Sequence, residues 1–212
     1  MNHLIIYANH NDGSFNHAVL ENITKKYLTL GHEVVVRNLY KLNWNPVLTT
    51  EDLKALHQGE IPADIAREQE FVAWADMLTV IYPVWWTSMP AILKGYFDRV
   101  FSYGFAYGHT PNGIEGFLKG KKVLLLSSTG QPRDIYEQSG MYKAMNMTTD
   151  TGIFKFCAMD VIGHIYFPSI QTVSDKVREE YIESVKKFID NYFSVKGKNH
   201  SYADRIVTFQ NA

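Results

Sequence analysis

The chain has 212 residues, of which 46% are hydrophobic and 20% charged, with a formal net charge of -1 and a pI near 6.7. That length fits one α/β core without a second domain. The composition excludes a disordered, collagenous or coiled-coil chain, and the near-neutral charge gives no electrostatic reason for a nucleic-acid or anionic-membrane partner. A single cysteine, Cys157, excludes an intrachain disulfide framework and a Cys-rich metal centre, so a reducing, cytoplasmic compartment and no metal are expected.

In chain order, short apolar runs alternate with segments of helical period. The first strand is expected over 3–8. Its apolar run, Leu4 to Ala8, is too short for the core of a signal peptide and lacks basic flanks. Ala18, Val19, Ile23, Tyr27 and Leu30 then repeat at helical spacing, with Gly31 as the stop. A second strand over 33–39 completes a βαβ opening. Residues 41–63 read as a long crossover with Pro46, a Thr49 cap and a short helix. The third strand is expected over 77–83. Ser88 is read as a cap before Pro90, and Leu93, Tyr96, Phe97, Val100 and Phe101 mark the clearest helix of the chain. Strands over 121–127 and 162–168 follow. A last helix over 174–193 carries Val177, Tyr181, Val185, Phe188 and Tyr192 on one face. No run reaches the roughly 18 apolar residues of a membrane span. Residues 1–193 thus form one domain, and 194–212 are read as a C-terminal arm. Five parallel strands with these crossovers most often take the order 2-1-3-4-5, the doubly wound flavodoxin-like α/β sheet.

In such a sheet the ligand lies beyond the carboxyl ends of the strands, near the switch point. After the first strand, Asn9 to Asn16 is a polar loop that delivers Ser14 and Asn16 to a helix N-terminus, where free N–H groups and the helix dipole favour a phosphate; an ordinary N-cap loop reads equally well. After the third, Val84-Trp85-Trp86 places adjacent indoles at a strand end, as a platform for a planar ligand or, for one of them, as core or interface packing. Phe105 and Tyr107 alternate in a glycine-punctuated loop downstream. After the fourth, Ser128-Thr129-Gly130-Gln131 lets the backbone approach a ring edge and offer N–H donors. A phosphate site, an aromatic platform and a hydrogen-bonding edge are what a flavin requires.

Several of these segments match a known family. Ser14-Phe15-Asn16, Asp64 to Gln69, the block Pro83 through Pro90-Ala91-Ile92-Leu93-Lys94-Gly95 to Phe101, Gly104 to Tyr107 and the Thr129-Gly130 loop resemble the flavin-dependent NAD(P)H:quinone oxidoreductases of the DT-diaphorase type, over about residues 3–193. The resemblance implies that His10, Ser14, Phe15 and Asn16 hold the phosphate side of the flavin, that Pro83, Val84, Trp85 and Trp86 line its ring, and that Ser128, Thr129, Gly130 and Gln131 bond its pyrimidine edge. Gln69 and Asp98 match positions near the adenosine of FAD, so FAD is preferred to FMN, with a solvated helix face as the competing reading for both. It further implies a homodimer with a shared active site, in which Tyr107 acts across the interface and the C-terminal arm packs. The implied reaction is ping-pong hydride transfer from NAD(P)H through the flavin to a quinone or another flat acceptor. An electron carrier or a regulatory subunit of a potassium-efflux system is the alternative; a flavin-free phosphatase lacks its Cys-x5-Arg loop. The chain departs from the family at one instructive place. Where the family has a Tyr and, six residues on, a His, this sequence has Tyr136 and Tyr142. A tyrosine cannot supply a cation near neutral pH, so charge stabilisation is expected from Tyr136, with Tyr142 as a wall or weak donor. In the loop after the fourth strand, Gln131 replaces the family's second glycine.

Overall fold

In the computed structural model, which describes residues 1–194, five parallel strands form the central sheet: β1 (Asn2–Tyr7), β2 (Glu33–Asn38), β3 (Met77–Pro83), β6 (Lys122–Ser128) and β7 (Asp160–Phe167). Their spatial order is β2-β1-β3-β6-β7, which is the expected 2-1-3-4-5 of a flavodoxin-like fold. β4 (Tyr107–Thr110) and β5 (Gly113–Gly116) make a separate antiparallel hairpin, in a stretch where the sequence suggested only a loop. The expected arm falls outside the described residues except Ser194, which ends the last helix.

Alternation along the strands builds two cores. Ile5, Tyr7, Ile81, Leu124 and Leu126 face α1 (Phe15–Thr29) and α7 (Asp175–Ser194). Leu4, Ile6, Leu78, Val80, Val123 and Leu125 face α3 (Ala63–Trp74) and α4 (Ala91–Val100). Both faces of every interior strand are therefore dry, which is why these strands read as unbroken apolar runs. One register shift breaks the symmetry. Val123 pairs with Val161 but Leu124 pairs with Gly163, so β7 carries one extra residue at Ile162. Beyond this bulge the side-chain parity flips, and His164 and Tyr166 point to the α4 side, opposite Leu125 and Ser127.

The helix ends follow local chemistry. α1 closes in a Schellman arrangement, with the Gly31 N–H donating to Leu28 O, the His32 N–H to Tyr27 O, and Gly31 left-handed at φ 75°. α2 (Thr50–His57) has the expected Thr49 cap, in a full capping box with Asp52. Ser88, in contrast, does not cap α4. Pro90 occupies that position, its carbonyl accepting from the Leu93 and Lys94 N–H groups, and Ser88 is drawn into a turn described below. Gly95 is required by close approach, since a Cβ there would sit 2.0 Å from the carbonyl oxygen of Pro46. That contact clamps the long crossover onto α4.

Candidate active site at the carboxyl edge of the sheet

Ser128, at the end of β6, joins two of the loops that the sequence singled out. Its carbonyl accepts from the Val84 N–H at 2.8 Å, and its hydroxyl accepts from Asn16 Nδ2 at 3.0 Å. Next to it, the Thr129 N–H donates to Phe167 O and Thr129 O accepts from the Ile170 N–H, which ties in the loop after β7.

The loop after β1 is shaped by two successive Asx turns, Asn9 Oδ1 accepting from the Asn11 N–H and Asn11 Oδ1 from the Gly13 N–H. It hands the chain to Ser14, whose hydroxyl caps α1 by accepting from the His17 N–H at 3.2 Å. The first turn of α1 holds no acidic residue, and nearby Asp12 is paired with Lys41 at 2.9 Å. The N-terminus of α1 thus offers an anion its dipole and free N–H groups with the neighbouring negative charge offset. Asn16 Oδ1 is buried there without a partner.

The loop after β3 makes a mutual backbone pair, the Trp85 N–H donating to Ser88 O at 2.9 Å and the Ser88 N–H to Trp85 O at 3.0 Å. Its two central residues, Trp86 (φ 50°) and Thr87 (φ 55°), are both left-handed, the geometry of a type I′ turn built without the usual Gly or Asn. Each costs about 1–2 kcal/mol of backbone strain. Strain of this kind is concentrated at ligand sites. The turn holds Trp86 99% exposed and Trp85 41% exposed, so neither indole is core, and the ring of Trp85 lies 5.8 Å from that of His10.

The third side is a tyrosine wall. Tyr136 on α5 (Arg133–Gln138) and Tyr142 on α6 (Met141–Asn146) meet edge to face at 5.3 Å, and Tyr142 lies 4.5 Å from Tyr166 of β7, with Val84 packed against the group. The Tyr142 hydroxyl is buried and makes no hydrogen bond among the described residues, with Thr129 as a polar neighbour. Burial pushes its pKa up to about 12, so the group stays protonated and acts as a donor. Leaving such a hydroxyl unpaired costs about 1–3 kcal/mol.

His10, Ser14, Phe15, Asn16, Pro83, Val84, Trp85, Trp86, Ser128, Thr129, Tyr136 and Tyr142 therefore lie on the strand ends, loops and adjoining helices at this edge. The backbone of Gln131 is engaged in the fold, its carbonyl accepting from the Thr129 hydroxyl and the Ser169 N–H, and Gly130 faces Gln171, whose amide oxygen a Cβ would meet at 3.0 Å. Phe105 and Tyr107 are partly buried against the α3/α4 core, with Tyr107 packed on Phe156 at 5.2 Å and on Tyr103. Gln69 and Asp98 are not brought to the cluster within one chain. Both lie on the α3/α4 side of the sheet, Gln69 buried with its amide donating to Val100 O and Ser102 Oγ, and Asp98 paired with Lys94.

The sequence reading passed over the loop after β7. There Gly13, Ser14 and Phe15 face Ile170, Gln171 and Arg178 across a groove of about 550 Å³. The signal was available, since this loop too follows a strand's carboxyl end. A flavin fits the donor set at this edge: a helix N-terminus with free N–H groups, flat exposed indoles, and two buried polar atoms without partners among the described residues, a donor at Tyr142 and an acceptor at Asn16.

The sheet is that of a flavodoxin-like fold, and its carboxyl edge is the candidate ligand site. Residues 1–191 match the family model described as a flavodoxin-like fold, and the chain belongs to that family. It is 40% identical over 185 residues to an uncharacterized NAD(P)H oxidoreductase of Haemophilus influenzae, covering 86% of this chain and 91% of the relative. It is 30% identical over 207 residues to NAD(P)H dehydrogenase [quinone] 1 of Rattus norvegicus, covering 88% and 76%. The solved NAD(P)H:quinone oxidoreductase of Methanothermobacter marburgensis superposes with a TM-score of 0.81 at 29% identity, covering 95% of this chain and 99% of that one.

Proposed function

We propose that the protein is a flavoenzyme that passes two electrons as hydride from NAD(P)H to a quinone or another flat electrophile, in ping-pong order. The observation that carries the reading is the convergence at Ser128 of the α1 N-terminus, the strained Trp86 turn and the tyrosine wall with its unpaired hydroxyl. The relatives' names supply the activity class.

The bound flavin would supply the centre that accepts and then returns hydride. The protein's own groups bind, orient and exclude water. Ser14 and the first turn of α1 would hold the phosphate, and Thr129 with the following backbone would meet the ring's polar edge. Trp85 and Trp86 would cover the apolar face and leave a flat slot, in which nicotinamide and acceptor would alternate. The Tyr136 hydroxyl would donate to negative charge as it develops at that edge. Tyr142, a protonated donor at neutral pH, would contribute a binding hydrogen bond. FAD is preferred over FMN, and the groove of about 550 Å³ that adjoins Ser14 and is lined by Gln171 and Arg178 leaves room for more than a single phosphate. The near-neutral net charge weighs against an electron carrier that docks through a charged face. A homodimer with Tyr107 at the shared site belongs to the same reading, as does the cytoplasm as its compartment; among the described residues no helix is long and apolar enough to cross a membrane.

Heat release of flavin from the purified, flavin-loaded protein, with chromatographic identification, tests the reading. FAD is the expected result. FMN would correct the cofactor, and failure of either flavin to bind would end the proposal.

A further inference from the structure

Behind the tyrosine wall lies a buried polar chain that the proposed chemistry does not use. His164 and Asp150 are both 0% exposed, and His164 Nδ1 lies 2.8 Å from Asp150 Oδ1. On the other side of the ring, Nε2 lies 3.1 Å from Ser127 Oγ and 3.4 Å from the Tyr82 hydroxyl. With Nδ1–H donating to the carboxylate, Nε2 accepts from Ser127. The order Ser–His–Asp is that of a hydrolytic triad, but Ser127 is fully buried in β6, so no substrate reaches it and a nucleophilic role is excluded.

The chain leads elsewhere. The His164 ring stacks on Tyr166 at 4.1 Å and 22°, Tyr166 packs on Tyr142 at 4.5 Å, and Tyr142 meets Tyr136 at 5.3 Å. The Tyr166 hydroxyl donates to Asn146 Oδ1 at 2.7 Å, so the stack is tethered at its middle as well as at its buried end. Two irregularities of the backbone are needed to assemble it. The bulge at Ile162 turns His164 and Tyr166 toward Tyr142, and a nine-residue π-helical segment (Met147–Lys155) carries Asp150 inward. Regular continuation of β7 would send the His164 ring to the opposite face.

We propose that His164, held by Asp150, is a positioning residue for Tyr142: the stack fixes the Tyr142 ring and its unpaired hydroxyl where a flavin must find them. This rests on the flavin reading above. The role passes through ring packing and not through a proton wire, because the Tyr142 hydroxyl has no hydrogen bond to the chain behind it.

The test measures flavin affinity by titration of the apoprotein and the rate of flavin reduction in anaerobic mixing. Wild type is run first; if it binds no flavin, the functional reading fails and not this one. With wild type binding, His164→Leu is expected to weaken flavin affinity by about tenfold. Tyr142→Leu is expected to do the same, and the double variant is expected to match either single one, because residues acting through one contact are not additive. Asp150→Asn, which keeps an oxygen to accept from Nδ1–H, is expected to retain most of the affinity that Asp150→Ala loses. Should His164→Leu fail to fold, Asn146→Ala cuts the second tether from a partly exposed site and is expected to weaken affinity about threefold in the wild-type background and not at all beside Tyr142→Leu. Losses that multiply in the double variants, or affinity within twofold of wild type in the singles, would overturn the proposal.

Discussion

Two polar networks, one around Arg99 of α4 and one around His164 of β7, solve the same problem differently. In the first, Arg99 stacks over Trp44 and is answered at every turn: Asp52 accepts at 3.0 and 3.1 Å, Asp64 at 2.6 Å and the carbonyl of Asn45 at 3.1 Å. The second runs from Asp150 through His164 and Tyr166 and stops at the Tyr142 hydroxyl, which has Thr129 as a polar neighbour but makes no hydrogen bond among the described residues. The closed network ties the 44–64 crossover to the scaffold. The open one ends at the ligand edge. The Arg99 guanidinium is fully paired although the buried Trp44 Nε1 beneath it makes no hydrogen bond, so an orphan by itself marks no site; the Tyr142 hydroxyl differs because it lies at the carboxyl edge of the sheet beside the loops named above.

The contrast can be broken first at the closed network. Arg99→Met leaves Asp52 buried without its cation and is expected to cost about 3–5 kcal/mol in denaturant unfolding. Flavin affinity per folded molecule should stay the same. A comparable loss of affinity would mean that the two networks are not separate. The open network should respond in the opposite sense, in function more than in stability. Tyr136→Phe is expected to slow flavin reduction by about tenfold to a hundredfold in single-turnover mixing. Tyr142→Phe is expected to weaken flavin binding by about fivefold, one neutral hydrogen bond, while changing the reduction rate little. Equal large rate losses in both would remove the division of labour between the two tyrosines.

A smaller effect sharpens the comparison at the far end of the sheet. His3 is fully buried, stacked on Tyr27 and His32, and burial, followed by the repulsion of His32 and the N-terminus, lowers its pKa from the ordinary 6.5 to about 3. In the unfolded chain it binds a proton below 6.5 that the folded chain refuses, so its contribution to stability is full above pH 6.5 and is lost progressively as pH falls toward 3. His3→Phe should flatten unfolding free energy against pH in that window and leave flavin affinity unchanged. An unaltered slope would place the acid sensitivity elsewhere.

The sheet was legible in the sequence because its strands are buried on both faces. Expected and observed ends differ by at most two residues, and those of the third strand coincide; the shape of the crossovers gave the order. The third helix was not legible as one. Of its inward positions Ile65, Glu68, Gln69 and Val72, two are polar, and they are buried because Arg37 pairs with Glu68 and the Val100 carbonyl takes the Gln69 amide. That pairing hides the apolar period. Gln69, which the family resemblance places near the adenosine of FAD, is held within this chain by the Val100 carbonyl and Ser102 Oγ. At the site, Ser14, the two tryptophans and Ser128 could be read from their places at strand ends. His164 and Tyr166 could not, since their direction depends on a single-residue bulge that no local pattern announces.

The central claim is that the open edge receives a flavin and that NAD(P)H reduces it there. Anaerobic mixing of the flavin-loaded protein with NADH or NADPH, followed through the flavin's visible absorbance, tests it most directly. Rapid bleaching by at least one nucleotide, reversed when a quinone is added, is the predicted result. A bound flavin that neither nucleotide bleaches would contradict the account.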